Sequence, residues 1–230
     1  MNSEFTFNTI GIIRSCYGEK FGIPRQPGLV QCATATLELL PPYNTIEAIR
    51  GLEGFSHLWI LFVFHQSARN QWKATVRPPR LGGNERIGVF SSRSNFRPNP
   101  IGLSVVELLT VDETKLVLGG GDFLDGTPVL DIKPYLPYVD SIPGARGSYA
   151  ASAPEPVNRV VFTTDAEEAV LALENDERPA LRRLICDILA YNPRPAYQES
   201  NDERIYGTRL YDLNVRWMQS GNAVTVVELS

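Results

Sequence analysis

His57-Leu-Trp-Ile-Leu-Phe-Val-Phe-His65 is the stretch on which the fold turns. Everything between the two histidines, residues 58–64, is apolar, so neither a helical nor an alternating period runs through it. A short run of aromatic and branched side chains bounded by polar residues fits a strand buried on both faces. It is far shorter than the roughly 20 residues a helix needs to cross a bilayer. Outward from it, residues 7–14 and 30–40 also have strand composition. The second places Ala33, Ala35, Leu37 and Leu39 on one parity. Further short strands are expected at 87–91, 101–109, 116–118 and 129–132, and a short helix at 45–52 with Asn44 as its cap. Many short strands joined by Gly- and Pro-rich turns, with few amphipathic helices, indicate a mainly β unit over residues 1–147, a sandwich or a barrel.

The composition then changes. Residues 148–156 are Ala, Ser and Pro and read as a linker. Beyond it, Thr164-Asp-Ala-Glu167 matches a capping box, in which the first and last side chains satisfy free amides at a helix start. A helix to about 174 should follow, then a second over 179–190. Segments 210–218 and 223–229 flank Ser220-Gly221-Asn222 as a hairpin. Residues 157–230 therefore form a small α+β unit.

The net charge of the 230 residues is −4, so no global basic field announces a nucleic-acid partner. Any RNA binding must come from a local patch. Cys16, Cys32 and Cys186 are widely separated and form no C-x-x-C pair, which fits a reducing cytosol. Residues 1–15 carry Glu4 and no long apolar run, unlike a signal peptide. A cytoplasmic protein without membrane contact is the expectation.

The local patch exists. Between Arg69 and Arg97 stand six arginines and Lys73 against one acid, Glu85. Gly and Pro residues are interleaved with them and fix the backbone. Arginine suits planar, bidentate contact with carboxylate or phosphate, so the segment points to an anionic ligand; a solvated surface loop is the bland reading. Gly119-Gly-Gly-Asp-Phe-Leu-Asp-Gly-Thr-Pro128 is a second unusual segment. It lacks the endings of a P-loop or a dinucleotide-binding turn, and Asp125 could meet a polar or cationic ligand there. His57 and His65, eight apart, are the only histidines and do not suggest a metal site. His65-Gln66 reads as a hydrogen-bonding pair at a pocket rim or, equally, as a merely structural pair. Tyr135 and Tyr138 could supply a stacking surface. No nucleophile elbow or Ser-His-Asp set is visible.

Three runs carry a family resemblance: Arg77-Pro-Pro-Arg-Leu-Gly-Gly83, Phe96-Arg-Pro-Asn-Pro-Ile-Gly-Leu-Ser104, and Asp125-Gly-Thr-Pro-Val129 leading to Asp131-Ile-Lys-Pro-Tyr135. With Pro24-Arg-Gln-Pro-Gly28, Pro193-Arg-Pro-Ala-Tyr197 and Asp212-Leu-Asn-Val-Arg-Trp217, they span essentially the whole chain. The sequence resembles the TsaA-like family, whose bacterial branch is the TrmO family of tRNA methyltransferases. Asn192 departs from the acid expected before Pro193. The resemblance implies a single-sheeted β-barrel, a small C-terminal domain that recognises tRNA, and a homodimer. It implies S-adenosyl-L-methionine as cofactor and N6 of threonylcarbamoyladenosine at position 37 of the anticodon loop as target. Cofactor contacts are implied at Gln26, Pro27, Gly28, His65, Gln66, Arg93, Leu103, Leu124, Asp125, Gly126 and Thr127. Arg77, Arg80, Arg86, Arg194 and Tyr197 are expected to meet RNA. Asp125, His65 and Tyr135 are the candidates for a catalytic base, and no metal is expected. Two other readings stay open on the residues alone: a non-catalytic nucleotide- or RNA-binding barrel, and a methyltransferase for a small molecule.

Overall fold

The protein is described from a computed structural model over residues 4–67, 72–193 and 204–230. The N-terminal part runs β1 (Gly11–Ser15), β2 (Thr34–Leu39), α1 (Ile46–Ile49), β3 (His57–Val63), β4 (Thr75–Val76), β5 (Ile87–Gly88), β6 (Ile101–Asp112), β7 (Lys115–Gly119), β8 (Pro128–Pro134) and α2 (Pro137–Asp140). Six strands close a barrel in the order β1-β2-β7-β6-β3-β8, every neighbouring pair antiparallel. Period-two alternation sets which side chains fill it. On β3, Leu58, Ile60 and Phe62 point inward and are buried, while Trp59, Leu61 and Val63 face outward and are half-buried. The expectation of a strand covered on both faces is therefore corrected. A single-layered barrel has one packed side, and its outer wall is only partly covered. Ile13, Leu37, Leu116, Leu118 and Val129 complete the interior.

Local expectations at the element ends also shift. The first strand begins only at Gly11, and residues 87–91 yield two strand residues and then a 3₁₀ turn at Val89–Ser91. Thr45, not Asn44, precedes α1 and makes no side-chain cap bond.

The C-terminal part runs β9 (Arg159–Phe162), α3 (Thr164–Leu173), α4 (Leu181–Ala190), β10 (Tyr206–Leu210), β11 (Leu213–Ser220) and β12 (Ala223–Leu229). Its sheet has the order β10-β11-β12-β9, with β9 parallel to β12. The single strand expected at 210–218 is instead split by a turn at Tyr211, where φ is 55°. The cap of α3 is Thr163, whose Oγ1 accepts from the Ala166 N–H at 3.3 Å. Thr163 is still extended and donates its own N–H to Val226 O at 3.0 Å, so the helix can begin only after it.

The two parts share a core. Cys16, Tyr17, Val30 and Ala33, from the loop between β1 and β2, are buried among Leu184, Ile185, Val215 and Trp217. Tyr211 N–H donates to Cys16 O at 2.7 Å, and Arg209 N–H to the Glu19 carboxylate at 2.9 Å. The 16–33 loop is thus as much a part of the second core as of the barrel.

Register places three of the barrel's connections at one end. β1, β3 and β7 finish there and β2, β6 and β8 begin there. Segments 16–33, 64–67, 72–100 and 120–127 therefore surround one mouth, and these are the segments that carry most of the motifs.

Candidate active site at the barrel mouth

The three mouth loops are tied to one another. Gln26 Oε1 accepts from Arg93 Nη1 at 2.7 Å, and Lys20 Nζ donates to Gln66 O at 2.6 Å, joining the first loop to the second. Gly28 N–H donates to Gly120 O at 2.8 Å, and Gly120 N–H to Ala33 O at 2.9 Å, joining the first to the third. Gly120 has φ 66° and a Cβ on it would lie 3.5 Å from the Gly28 backbone. The left-handed conformation favours glycine there, and the 3.5 Å approach is ordinary van der Waals contact.

The third loop is fastened from inside. Phe123 is buried and packs edge-on against Phe62, ring centroids 5.1 Å apart. Its carbonyl accepts from Ser15 Oγ at 2.7 Å. Beyond it, Asp125 N–H donates to Tyr17 O and Gly126 N–H to Ile13 O, each at 2.9 Å. Asp125 Oδ1 accepts from the Ser15 N–H at 3.0 Å, and Thr127 Oγ1 donates to Leu124 O at 2.6 Å. Leu124 and Thr127 are buried, while Asp125 keeps an exposed carboxylate edge. With Phe123 as the anchor, Asp122 is held on the other side of it. Its Oδ1 accepts from Ser104 Oγ, an inward-facing group of β6, at 2.7 Å. Burial pushes the Asp122 carboxyl up to about 6, against the lowering influence of the Ser104 hydroxyl and the Arg93 charge. Gln26, Arg93, Asp122 and Ser104 therefore form one cluster. Of the two acids in that segment, the sequence reading singled out Asp125 and not Asp122.

The other expected residues distribute unevenly. Pro27, Gly28, His65 and Gln66 stand on the mouth loops. Leu103 is on the outer wall of β6, half-exposed beside Leu61. Tyr135 does not join the mouth of its own chain. β8 carries it eight residues away from Thr127, roughly 26 Å at strand rise, to the far end of the barrel. There it tilts against His57 and Trp59, with centroids 6.3 and 6.0 Å away, while Tyr138 is exposed. Asp140 closes that end by accepting from Trp59 Nε1 at 2.9 Å. His57 and His65 are separated by the length of β3 and cannot share an ion. Among the described residues no three His, Cys, Asp or Glu side chains are grouped to hold a metal.

Beside the mouth, Arg77, Arg80 and Arg86 are exposed and have no carboxylate partner among the described residues. Arg25 lies close to Arg80, and burial together with that like charge lowers its pKa. An anion placed between such groups relieves the repulsion. Trp72 and Phe90 stack at 6.5 Å on the same loop and are both exposed, with Arg97 6.0 Å from the Phe90 ring centre. Arg97 itself donates to Ser92 O at 2.8 Å and fixes the loop. The stacking surface expected at Tyr135 and Tyr138 has its better candidate here. Arg194 and Tyr197 lie outside the described residues.

The donor set suits S-adenosylmethionine, a ligand with a carboxylate, an ammonium, a cationic sulfonium and a ribose diol. Arg93, held by Gln26, presents a guanidinium whose chemistry matches a carboxylate. Asp122 and Asp125 offer negative charge, and the glycine turns leave room beside the backbone at Gly28 and Gly126, where an added Cβ would meet nothing within 4 Å.

A closed barrel sets one guanidinium and two carboxylates in a glycine-lined mouth, beside a basic loop bearing stacked aromatics, an arrangement chemically suited to a small zwitterionic ligand and to an anionic polymer. Comparison makes this specific. The tRNA-methyltransferase O N-terminal domain model matches residues 12–141 and the TrmO C-terminal domain model matches residues 155–230. The chain is 55% identical over 220 residues to the tRNA (adenine(37)-N6)-methyltransferase of Escherichia coli, covering 94% of this chain and 93% of that one. It is 50% identical over 208 residues to a Pseudomonas aeruginosa protein named by inference as the S-adenosylmethionine-dependent methyltransferase RcsF, covering 90% of each. A crystal structure of TrmO superposes with a TM-score of 0.84 at 40% identity, over 99% of this chain and 100% of the other. This chain belongs to the TrmO family of tRNA methyltransferases.

Proposed function

We propose that the protein transfers a methyl group from S-adenosyl-L-methionine to N6 of adenosine 37 in tRNA, and that the base acted on already carries its threonylcarbamoyl group. The observation that carries the reading is the convergence of Gln26, Arg93, Asp122 and Asp125 at one mouth of a chain that matches the TrmO family along its length. Bound there, the cofactor supplies an activated methyl group. The protein's own task is placement, which can contribute roughly 7–11 kcal/mol in favourable cases. Arg93, aligned by Gln26, would hold the cofactor carboxylate. Pro27, Gly28, Leu124, Gly126 and Thr127 would face its adenine and ribose with backbone groups, with His65, Gln66 and Leu103 at the rim.

On the RNA side, Arg77, Arg80 and Arg86, joined by Arg25, would take phosphates. Trp72 and Phe90 would receive splayed bases of the anticodon loop, a single-stranded element whose bases can stack on aromatic side chains. The division proposed is a cofactor unit at 1–147 and an RNA-recognition unit at 157–230. The second unit is packed on the 16–33 loop, so RNA held by it would be delivered to the mouth. Arg209 has no ion pair among the described residues of that unit, whereas Arg204 lies over the Tyr206 ring, 5.2 Å from its centre, and Arg216 is paired with Glu228 at 2.5 Å. A homodimer is also proposed. Half-exposed Ile101 and Leu103 on the outer wall of β6 support a contact between copies, which light scattering tests. Three free cysteines, and the absence among the described residues of a helix long and apolar enough to cross a membrane, accord with work in the cytoplasm. The test is incubation of the pure protein with labelled S-adenosylmethionine and tRNA bearing threonylcarbamoyladenosine. Label should appear in that nucleoside alone; a protein that binds cofactor and RNA but transfers nothing is a binding barrel.

A further inference from the structure

Methylation of N6 has a requirement that placement does not meet. The nitrogen carries a hydrogen, and its lone pair is delocalised into the purine and the carbamoyl group. A group at the mouth must receive that proton as the new bond forms.

Three candidates were legible in the sequence, and the geometry weakens each. Tyr135 is at the far end of the barrel. Asp125 uses Oδ1 to hold the Ser15 N–H, which fastens its loop to β1. His65 sits on a tight turn, its N–H bonded to Val63 O at 2.8 Å, and the described residues place no partner on its ring to fix a tautomer.

Asp122 differs. It leaves a run of glycines and is clamped by the buried Phe123 that follows it. One oxygen is fixed by the Ser104 hydroxyl. The charged and titratable groups facing it are Arg93 from the second loop and Tyr17 from the first; β6 presents Ser104, and the Phe62 ring of β3 packs on the neighbouring Phe123. We propose that Asp122, oriented by Ser104, is the general base that takes the N6 proton. This rests on the reading of the protein as an N6-methyltransferase.

The step balances. The methyl carbon becomes bonded to N6, and the electron pair of the broken S–C bond remains on the donor sulfur as a neutral thioether. The electron pair of the N6–H bond stays on nitrogen, and the proton passes to the Asp122 carboxylate, then to solvent. A carboxyl raised to about 6 is still mostly ionised at neutral pH, and it is a stronger base than an ordinary aspartate. Ser104 holds the charged form and Arg93 favours it, so both keep the base from rising too far to be ionised.

The test uses the full-length protein, with tRNA bearing threonylcarbamoyladenosine, in single-turnover transfer across pH, alongside calorimetry with S-adenosylmethionine. Wild type should lose rate on acidification with a midpoint near the Asp122 value of about 6. At saturating cofactor, Asp122→Asn should transfer at least about a hundredfold more slowly, without that acid limb, a loss in rate that exceeds any change in its cofactor affinity. Ser104→Ala should move the limb to higher pH. In the free protein, the carboxyl resonance of Asp122 should titrate at higher pH in that variant too, a readout independent of turnover. A wild type that transfers no methyl overturns the methyltransferase reading itself. Transfer by Asp122→Asn at the wild-type rate, or a defect confined to cofactor affinity, overturns the role of Asp122 and leaves that reading intact. A limb and a resonance both unmoved in Ser104→Ala overturn the orienting role of Ser104.

Discussion

Replacing Arg93 by alanine removes the guanidinium that Gln26 Oε1 aligns at 2.7 Å. If Arg93 holds the cofactor carboxylate, the loss is a hydrogen bond between two charged groups, worth about 1.5–3 kcal/mol. Arg93 is an exposed residue, so solvent screening favours the lower part of that range. The expected result is an affinity for S-adenosylmethionine weakened by roughly ten- to thirtyfold. Calorimetry with two ligands isolates the cause. 5′-Methylthioadenosine shares the nucleoside and the sulfur but lacks the carboxylate, so its affinity should hardly change. Arg80→Ala and Arg86→Ala should show the opposite pattern. Each should leave cofactor affinity alone, weaken tRNA binding, and flatten its salt dependence by about 0.7 in the logarithmic slope if the contact is to single-stranded RNA. Equal losses for both small ligands in Arg93→Ala would refute the carboxylate assignment. An unchanged tRNA salt slope in Arg80→Ala and Arg86→Ala would return the basic loop to an ordinary solvated surface.

Other expectations follow from how the loops are fastened. Phe123→Ala removes a fully packed ring under the third loop; it should cost about 3–5 kcal/mol in denaturant unfolding and should weaken cofactor binding as Asp122 and Asp125 lose their anchor. Asp122→Asn should alter the pH dependence of stability. The folded state holds the Asp122 proton between the ordinary 3.8 and about 6, so wild-type stability should fall as pH rises through that window, by up to about 2–3 kcal/mol. The variant should lack this slope, and a steeper slope in the variant would contradict the assignment. Truncation after Ser148 should not leave a barrel with full cofactor affinity, because Tyr17, Val30 and Ala33 lose the core they share with Trp217. Parallel calorimetry and hydrogen exchange over residues 16–33 would check this, and full affinity with a protected loop would show the barrel to be self-sufficient.

Much of the fold is written in local pattern. Parity in residues 33–39 and the apolar run before His65 specify β2 and β3 closely, because side-chain direction in a strand depends only on near neighbours. The end of β8 is different. Tyr135 lies in a motif with Asp125, and a single sequence does not show that an intervening strand carries the two to opposite ends of a barrel. The basic loop that holds Arg93 and the segment around Asp125 stand out by composition, while their assignment to a cofactor comes with the family resemblance. Asp122 does not stand out, since its meaning comes from Ser104, on another strand, and from Arg93, on another loop. The sharing of the 16–33 loop with the second core was hidden for the same reason. Cys16, Tyr17 and Val30 are ordinary apolar residues until β10 and β11 are laid against them.

The most direct test of the whole argument is nucleoside mass spectrometry of one reaction. The purified protein is mixed with S-adenosylmethionine and tRNA isolated from cells lacking this enzyme, and the digested nucleosides are compared before and after. The expected result is that threonylcarbamoyladenosine gains a single methyl group, located by fragmentation on the N6 side of the base, while every other nucleoside is unchanged. A methyl on any other nucleoside, or threonylcarbamoyladenosine left unmodified by protein shown in the same sample to bind the cofactor, would contradict it.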